Sequence, residues 1–334
     1  LYIINKINKN REILKRDEKP TKAEAKLSNK VILKRIVIYS LPFILIEFIR
    51  SIYNTVDVFT IVKGLVGLGY DVALSENVLS IITTWGSKLN MIILSITFGI
   101  TMSIIPNIVS SATLKDHQGV SHKINQALKI IWFTALPMTI GVWFLSSSVW
   151  TVFYGYDALS IDVFSFFILQ SLINSFFYVL VDTTNALDNP KVALGTLLGS
   201  FILKAILNVP MMHLVHFLGF EAYYGTIVTT MLVQGLAVVY LLYKLKKTYK
   251  VSYRSSIKPA IKILLINGIM LLSLMIVRLF LGQFPTTRWW SLLEIIIYAL
   301  IGIVIYCVLA FKNNVFNEVF GEEFVKKIMK KFKR

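Results

Sequence analysis

The chain has 334 residues, of which 56% are hydrophobic and 16% charged, with a mean hydropathy of +0.68. A water-soluble domain holds about 45–50% apolar residues, and the surplus here is gathered into long runs, which excludes an ordinary soluble core. The net charge of +17 would suit nucleic acid, yet the basic residues are segregated by loop as membrane topology requires, so no nucleic-acid partner is expected.

Residues 1–35 carry eleven Lys and Arg and read as a basic cytoplasmic linker. The chain opens on Leu1 with charged rather than apolar sequence, so no signal peptide is expected and the chain reads as cut from a longer protein. The first predicted span covers about 36–62. Its polar members Glu47, Arg50, Ser51, Asn54 and Asp57 recur every three or four residues, on one helical face. Pro42 is expected to bend its early part.

A linker at 64–80 holds Asp71 and Glu76 and no basic residue. The second span, about 85–112, reads WGSKLNMIILSITFGITMSIIPNIVSSA. Lys88, Asn90, Ser95, Thr97, Thr101 and Ser103 lie within it, and such groups are of use to a helix that faces a water-filled cavity rather than lipid. The third span covers about 130–150. The fourth, about 163–186, carries a second polar stripe of Gln170, Asn174, Tyr178, Asp182 and Asn185. The turn LDNPK at 187–191 breaks the helix, because the residue before a proline avoids helical geometry.

The fifth span, about 192–214, contains Lys204, Asn208 and Pro210. The sixth covers about 223–243, the seventh 260–281 and the eighth 290–311. The basic loop between the sixth and seventh holds seven Lys and Arg. The tail, 312–334, places Val315, Phe316, Val319, Phe320, Phe324, Ile328 and Phe332 at helical spacing, with six basic residues in its second half, the pattern of a basic amphipathic helix on the inner membrane surface or of a docking helix for a partner. Cys307, the one cysteine, lies in an apolar run, so neither an intrachain disulfide nor a cysteine metal cluster is expected.

Loops on the side of the N-terminus hold 29 of the 35 Lys and Arg, and those on the other side hold Lys63 and Arg288. Alternation over eight spans therefore puts both termini in the cytoplasm. Arg50, Lys88, Lys204, Glu47, Asp57 and Asp182 fall at membrane depth, where each charge costs about 2.5–3.5 kcal/mol on insertion scales. Two readings stand for them: a cationic, water-accessible cavity for an anionic headgroup, or structural pairs between helices. Arg278, near the end of its span, reads as snorkelling to the interface. His213, His216 and Glu221 lack the fixed spacing of a metal site, and neither a metal nor a cofactor is expected. No Walker, HExxH or GxSxG motif is present, so an enzyme is disfavoured.

The second span, together with YVLVDTTNALDNPKVAL and LKAILNVPMMHLVHFLGFEAYYGTIVTT, resembles the multidrug/oligosaccharidyl-lipid/polysaccharide (MOP) exporter superfamily. The resemblance is to its polysaccharide biosynthesis, stage V sporulation protein B and MurJ-like lipid II flippase branch, and it is carried mainly by about 85–220. It implies an all-α integral membrane protein of fourteen helices, two six-helix lobes and an extra pair. Eight spans then correspond to one lobe, 36–245, and the extra helices, 246–311, with the N-terminal lobe of the same protein missing. It also implies a flippase that moves a polyprenyl-diphosphate-linked saccharide or peptidoglycan precursor by alternating access in a bacterial cytoplasmic membrane. Arg50, Lys88 and Lys204 are the expected cavity cations, and Glu47, Asn54, Asp57, Gln170, Asn174 and Asp182 the polar or ion-coupling groups. A drug/cation antiporter of the MATE type and a non-transporting membrane scaffold or enzyme partner are the alternatives.

Overall fold

The computed structural model describes residues 29–282 and 284–321. The start of the basic linker and residues 322–334 of the basic tail lie outside them. The chain divides into two compact units, residues 1–45 and 46–334. The described part of the first is helical, the beginning of α1 (Asn29–Ile52). The second holds everything discussed below.

After α1 come α2 (Thr55–Gly67) and α3 (Val72–Ser80). A π-helical turn at Ile81–Trp85 leads into α4 (Gly86–Met102), followed by α5 (Ile105–Thr113). The long α6 (His117–Phe144) is succeeded by α7 (Ser146–Tyr154), α8 (Ala158–Phe167) and α9 (Gln170–Ala186). Then follow α10 (Pro190–Phe217), α11 (Tyr223–Tyr249), α12 (Arg254–Leu281), α13 (Arg288–Lys312) and the short α14 (Val315–Phe320). No strand occurs among the described residues.

The all-helical expectation holds among the described residues, but the count of eight spans is not confirmed. Among the described residues six helical stretches are long and apolar enough to cross a bilayer, and a seventh arises if α8 and α9, bent by 41°, count as one span. The expected first span is divided: helix α1 ends at Ile52 and α2 begins at Thr55, with Tyr53 and Asn54 between them. At 13 residues, α2 reaches about 20 Å, short of a hydrocarbon core of about 30 Å. The expected linker at 64–80 is also largely helical, because Asp71 caps α3 by accepting from the backbone N–H of Ala73 and Leu74. The apolar stretch therefore starts at Val72, well before Trp85, and runs to Thr113.

Two apolar clusters hold the bundle. One joins Ile108, Ile124, Phe177, Leu197, Leu241, Met270 and Tyr298; the other joins Ile61, Leu65, Ile93, Ile131, Phe164 and Met212. Helices α2, α4, α6, α9, α10 and α11 form one connected packing set, while α12 lies on α6 and α13 on α7. On α12 and α13 the outward residues include Leu265, Leu272, Leu300 and Ile303, each about 60% exposed, the exposure expected of a surface that meets lipid.

Of the expected tail, residues 312–321 are described. Val315 and Val319 are buried, and Phe316 and Phe320 meet Phe133 of α6 at 5.1 and 5.4 Å. Lys262 Nζ lies 2.5 Å from Glu318, and Lys129 donates to the Glu318 carbonyl. The apolar face of 315–320 thus packs on the bundle.

Candidate functional site

The polar face of the first expected span comes together with polar groups from four other helices around a cavity of about 500 Å3. The break at Tyr53–Asn54 supplies part of the reason. It frees the N-terminus of α2, whose first turn holds Asp57, and the partial positive charge of a helix N-terminus favours a carboxylate there. Asn54 is exposed, makes no side-chain cap and lines the cavity.

Asp57 is 3% exposed. Its Oδ2 lies 2.7 Å from Lys204 Nζ, and its Oδ1 accepts from Asn208 Nδ2 at 3.2 Å. Asn208 also donates to Thr60 at 2.6 Å, and the Lys204 ammonium sits 4.7 Å from the centre of the Tyr53 ring. Lys204 and Asn208 lie one turn apart on α10, so a single face of that helix clamps one carboxylate. Both charges are withdrawn from water and neutralise each other, which is how an ion pair persists at such depth.

Arg50 lines the cavity from the end of α1. One guanidinium nitrogen lies 2.5 Å from Asp182 and another 3.0 Å from Glu47, while the cation stands 5.2 Å from the centre of the Tyr178 ring. Glu47 is mostly exposed and Asp182 half-buried. Neither carboxylate lines the cavity; both hold the arginine from its flank.

Gln170 and Asn174 line the cavity from α9, one turn apart, and both are buried. Helix α11 contributes Thr226, Thr230 and Gln234, and α4 contributes Ser87, Asn90 and Ser95. Asn90 Oδ1, Asn174 Oδ1, Thr226 Oγ1 and Gln234 Oε1 are buried without a hydrogen-bond partner. Buried polar atoms are nearly always paired, so a cluster of unpaired ones around one hollow marks a surface suited to a polar guest.

Two expectations change here. Lys88 does not line the cavity: it is exposed, with its ammonium 4.6 Å from the centre of the Trp85 ring. The cavity-facing positions of α4 are 87, 90, 91, 94, 95 and 98; position 88 falls at the edge of that face, close in angle to Ser95, and its side chain turns away to Trp85. Nor is the site a concentrated positive field. Its ionisable lining residues are Arg50, Asp57 and Lys204, and Asp182 and Glu47 further offset Arg50. Most of its lining is uncharged amide, hydroxyl and aromatic.

Sequence reading passed over Thr226, Thr230 and Gln234, although their spacing of four on an otherwise apolar helix is the same signal that marks Gln170 and Asn174. Elsewhere Glu294, on α13, is buried, accepts from Ser148 Oγ at 2.5 Å and lies 3.9 Å from Arg278. His216 meets the edge of the Tyr70 ring, whose hydroxyl donates to Glu221 at 2.8 Å, so these side chains stitch one end of the bundle.

No family model matches the chain. A curated protein, the lipid II flippase MurJ of Bacillus subtilis (strain 168), is 25% identical over 304 residues, covering 89% of this chain and 55% of that protein. Among solved structures, lipid II flippase MurJ in an inward closed conformation superposes with a TM-score of 0.61 at 19% identity, covering 85% of this chain and 56% of that one. A MATE transporter in complex with MaL6 superposes with a TM-score of 0.51 at 17% identity, over 88% and 66% of the two chains. The chain spans about half the length of the curated relative it matches. The chain is similar in sequence to the lipid II flippase MurJ over most of its own length, and it shares an all-helical fold with solved structures of MurJ and of a MATE transporter.

Proposed function

We propose that the chain forms one lobe, with the two additional helices, of a flippase that carries a polyprenyl-diphosphate-linked saccharide or peptidoglycan precursor of the lipid II kind across a bacterial cytoplasmic membrane. Residues 36–245 would make the lobe and 246–311 the extra helices, and a second lobe on the same protein would complete the alternating-access pathway. The lipid-linked saccharide and the bilayer are its partners, both termini lie in the cytoplasm by the distribution of Lys and Arg, and its work is transport rather than bond-making.

The observation that carries this reading is the cavity's unpaired, uncharged polar lining inside an apolar bundle. A headgroup dense in hydroxyls and amides would satisfy Asn90, Asn174, Thr226 and Gln234. Arg50 stands at the same wall to meet a phosphate oxygen, and the extra apolar helices would accompany the prenyl chain. A cation antiporter would favour a free carboxylate in this hollow, whereas Asp57 is tied to Lys204 and Asn208.

The test is translocation in cells that depend on the whole protein for precursor export. Arg50→Ala should lower precursor flipping by at least about tenfold at unchanged membrane abundance, since truncating a buried charge-paired contact costs about 2–5 kcal/mol, and Gln234→Ala should lower it by a smaller factor, since a neutral hydrogen bond contributes about 0.5–1.5 kcal/mol. Lys88→Ala should matter less. Unchanged precursor flipping with loss of drug efflux in the same variants would favour the antiporter, and loss of neither would favour a scaffold.

A further inference from the structure

A second polar hollow lies away from the cavity, where α6 begins and where α11 passes into α12. It measures about 700 Å3, and its lining includes His117, His122, Lys250 and Arg254 together with Ser121 and Ser255. A neighbouring hollow of about 560 Å3 shares Lys250 and Arg254 and adds Lys246, so the two cations form the ridge between two recesses. None of these lining residues is acidic. The nearest carboxylate in sequence, Asp116, is engaged by the Gly119 N–H at the start of α6. Among the described residues neither Lys250 nor Arg254 has an ion-pair partner.

The frame beneath these cations is fixed. Asn125, buried, donates to the carbonyls of Ser121 and Ser252 at 2.7 and 2.8 Å. It also accepts from Ser256 Oγ at 2.5 Å, and the Ser252 N–H donates to Ser121 Oγ at 3.1 Å. Lys250 ends α11 in the left-handed region, φ 55° and ψ 32°, where glycine is the usual residue. The chain thus places a lysine at a position whose backbone favours a residue with no side chain.

We propose that this recess binds the phosphate of an anionic phospholipid headgroup. Its height is the argument. Lys250 and Arg254 lie at the junction of two membrane-spanning stretches, Tyr223–Tyr249 and Arg254–Leu281, and His117 opens a third. That is the level at which lipid phosphates sit, and two unpaired cations over a fixed backbone frame offer a monoanion paired hydrogen bonds. The helices below present lipid-facing Ile257, Ile261 and Leu264 on the same element, all at least half exposed, for the acyl chains.

The experiment titrates the full chain in detergent with dioleoylphosphatidylglycerol or dioleoylphosphatidylcholine and counts bound lipids by native mass spectrometry. Each cation near a membrane surface contributes about fivefold in affinity. Lys250→Gly and Arg254→Gln should therefore each lower the preference for phosphatidylglycerol about fivefold, and the double variant more. Lys250→Gly keeps the test clear of misfolding, because glycine suits the left-handed backbone and should leave the melting temperature unchanged or raised. Lys244→Gln/Lys247→Gln removes the same charge from the same region outside both recesses and should keep the preference. Equal losses in the two sets would mean diffuse attraction by net charge and would overturn the proposal, as would no loss in either. Displacement of phosphatidylglycerol by inorganic phosphate at matched concentration would make the ligand a soluble phosphate and overturn the lipid assignment.

Discussion

Removing one member of the Asp57–Lys204 pair should cost far more than removing both. The carboxylate is 3% exposed and 2.7 Å from the ammonium. At that distance and an effective dielectric constant of about 20, the attraction is about 6 kcal/mol, offset by several kcal/mol of desolvation for each ion. Lys204→Met leaves Asp57 with Asn208 and the start of α2 as its only support, and Asp57→Asn leaves the ammonium over the Tyr53 ring. Each should cost about 3–5 kcal/mol, the range for a buried charge deprived of its partner. The double variant Asp57→Asn/Lys204→Met buries no charge and should lie within about 2 kcal/mol of the parent, giving a coupling of at least about 3 kcal/mol. Denaturant unfolding in detergent micelles, followed by far-ultraviolet circular dichroism, measures all four corners of the cycle. Single losses that add to within about 0.5 kcal/mol in the double variant would refute the reasoning, since they would mean that the two groups act independently.

Two further outcomes follow from packing. At Gly225 an added Cβ would lie 2.5 Å from Met212 Cα and 2.7 Å from the Met211 carbonyl, both backbone atoms, so Gly225→Ala must part α10 from α11. A loss of about 1–3 kcal/mol is expected, whereas Gly235→Ala, which meets nothing within 4 Å on the same helix, should be neutral or stabilising; equal effects in thermal unfolding would contradict this. Glu318→Ala breaks the contact with Lys262 but leaves the bond from Lys129 to the backbone carbonyl. Amide exchange across 315–320 should quicken while global stability falls by less than about 1 kcal/mol, and unchanged exchange would show that the aromatic contacts alone hold the segment.

Much of the site was legible in the chain because polar groups spaced by three and four in an apolar run have one economical place to point. Arg50, Asn54 and Asp57 line one hollow together with Gln170 and Asn174, while Glu47 stands outside it and pairs with Arg50. Lys88 misled because helical spacing puts it at the edge of the cavity face, near Ser95, whereas its long side chain turns outward to the Trp85 ring, a choice that spacing does not reveal. The helix interruption at Tyr53–Asn54 carries neither proline nor glycine, so the local sequence offers no breaker to read.

The sequence by itself determined what depends on composition and local spacing: a chain of long apolar helices, the segregation of its basic loops, and the faces on which polar residues gather. The tertiary structure alone decided who meets whom. Asp57 chooses Lys204, 147 residues away, and Arg50 chooses Asp182, 132 residues away. The rotation of each helix about its own axis is fixed only when neighbouring side chains interlock, and a quarter-turn separates a residue in the cavity from one in the lipid.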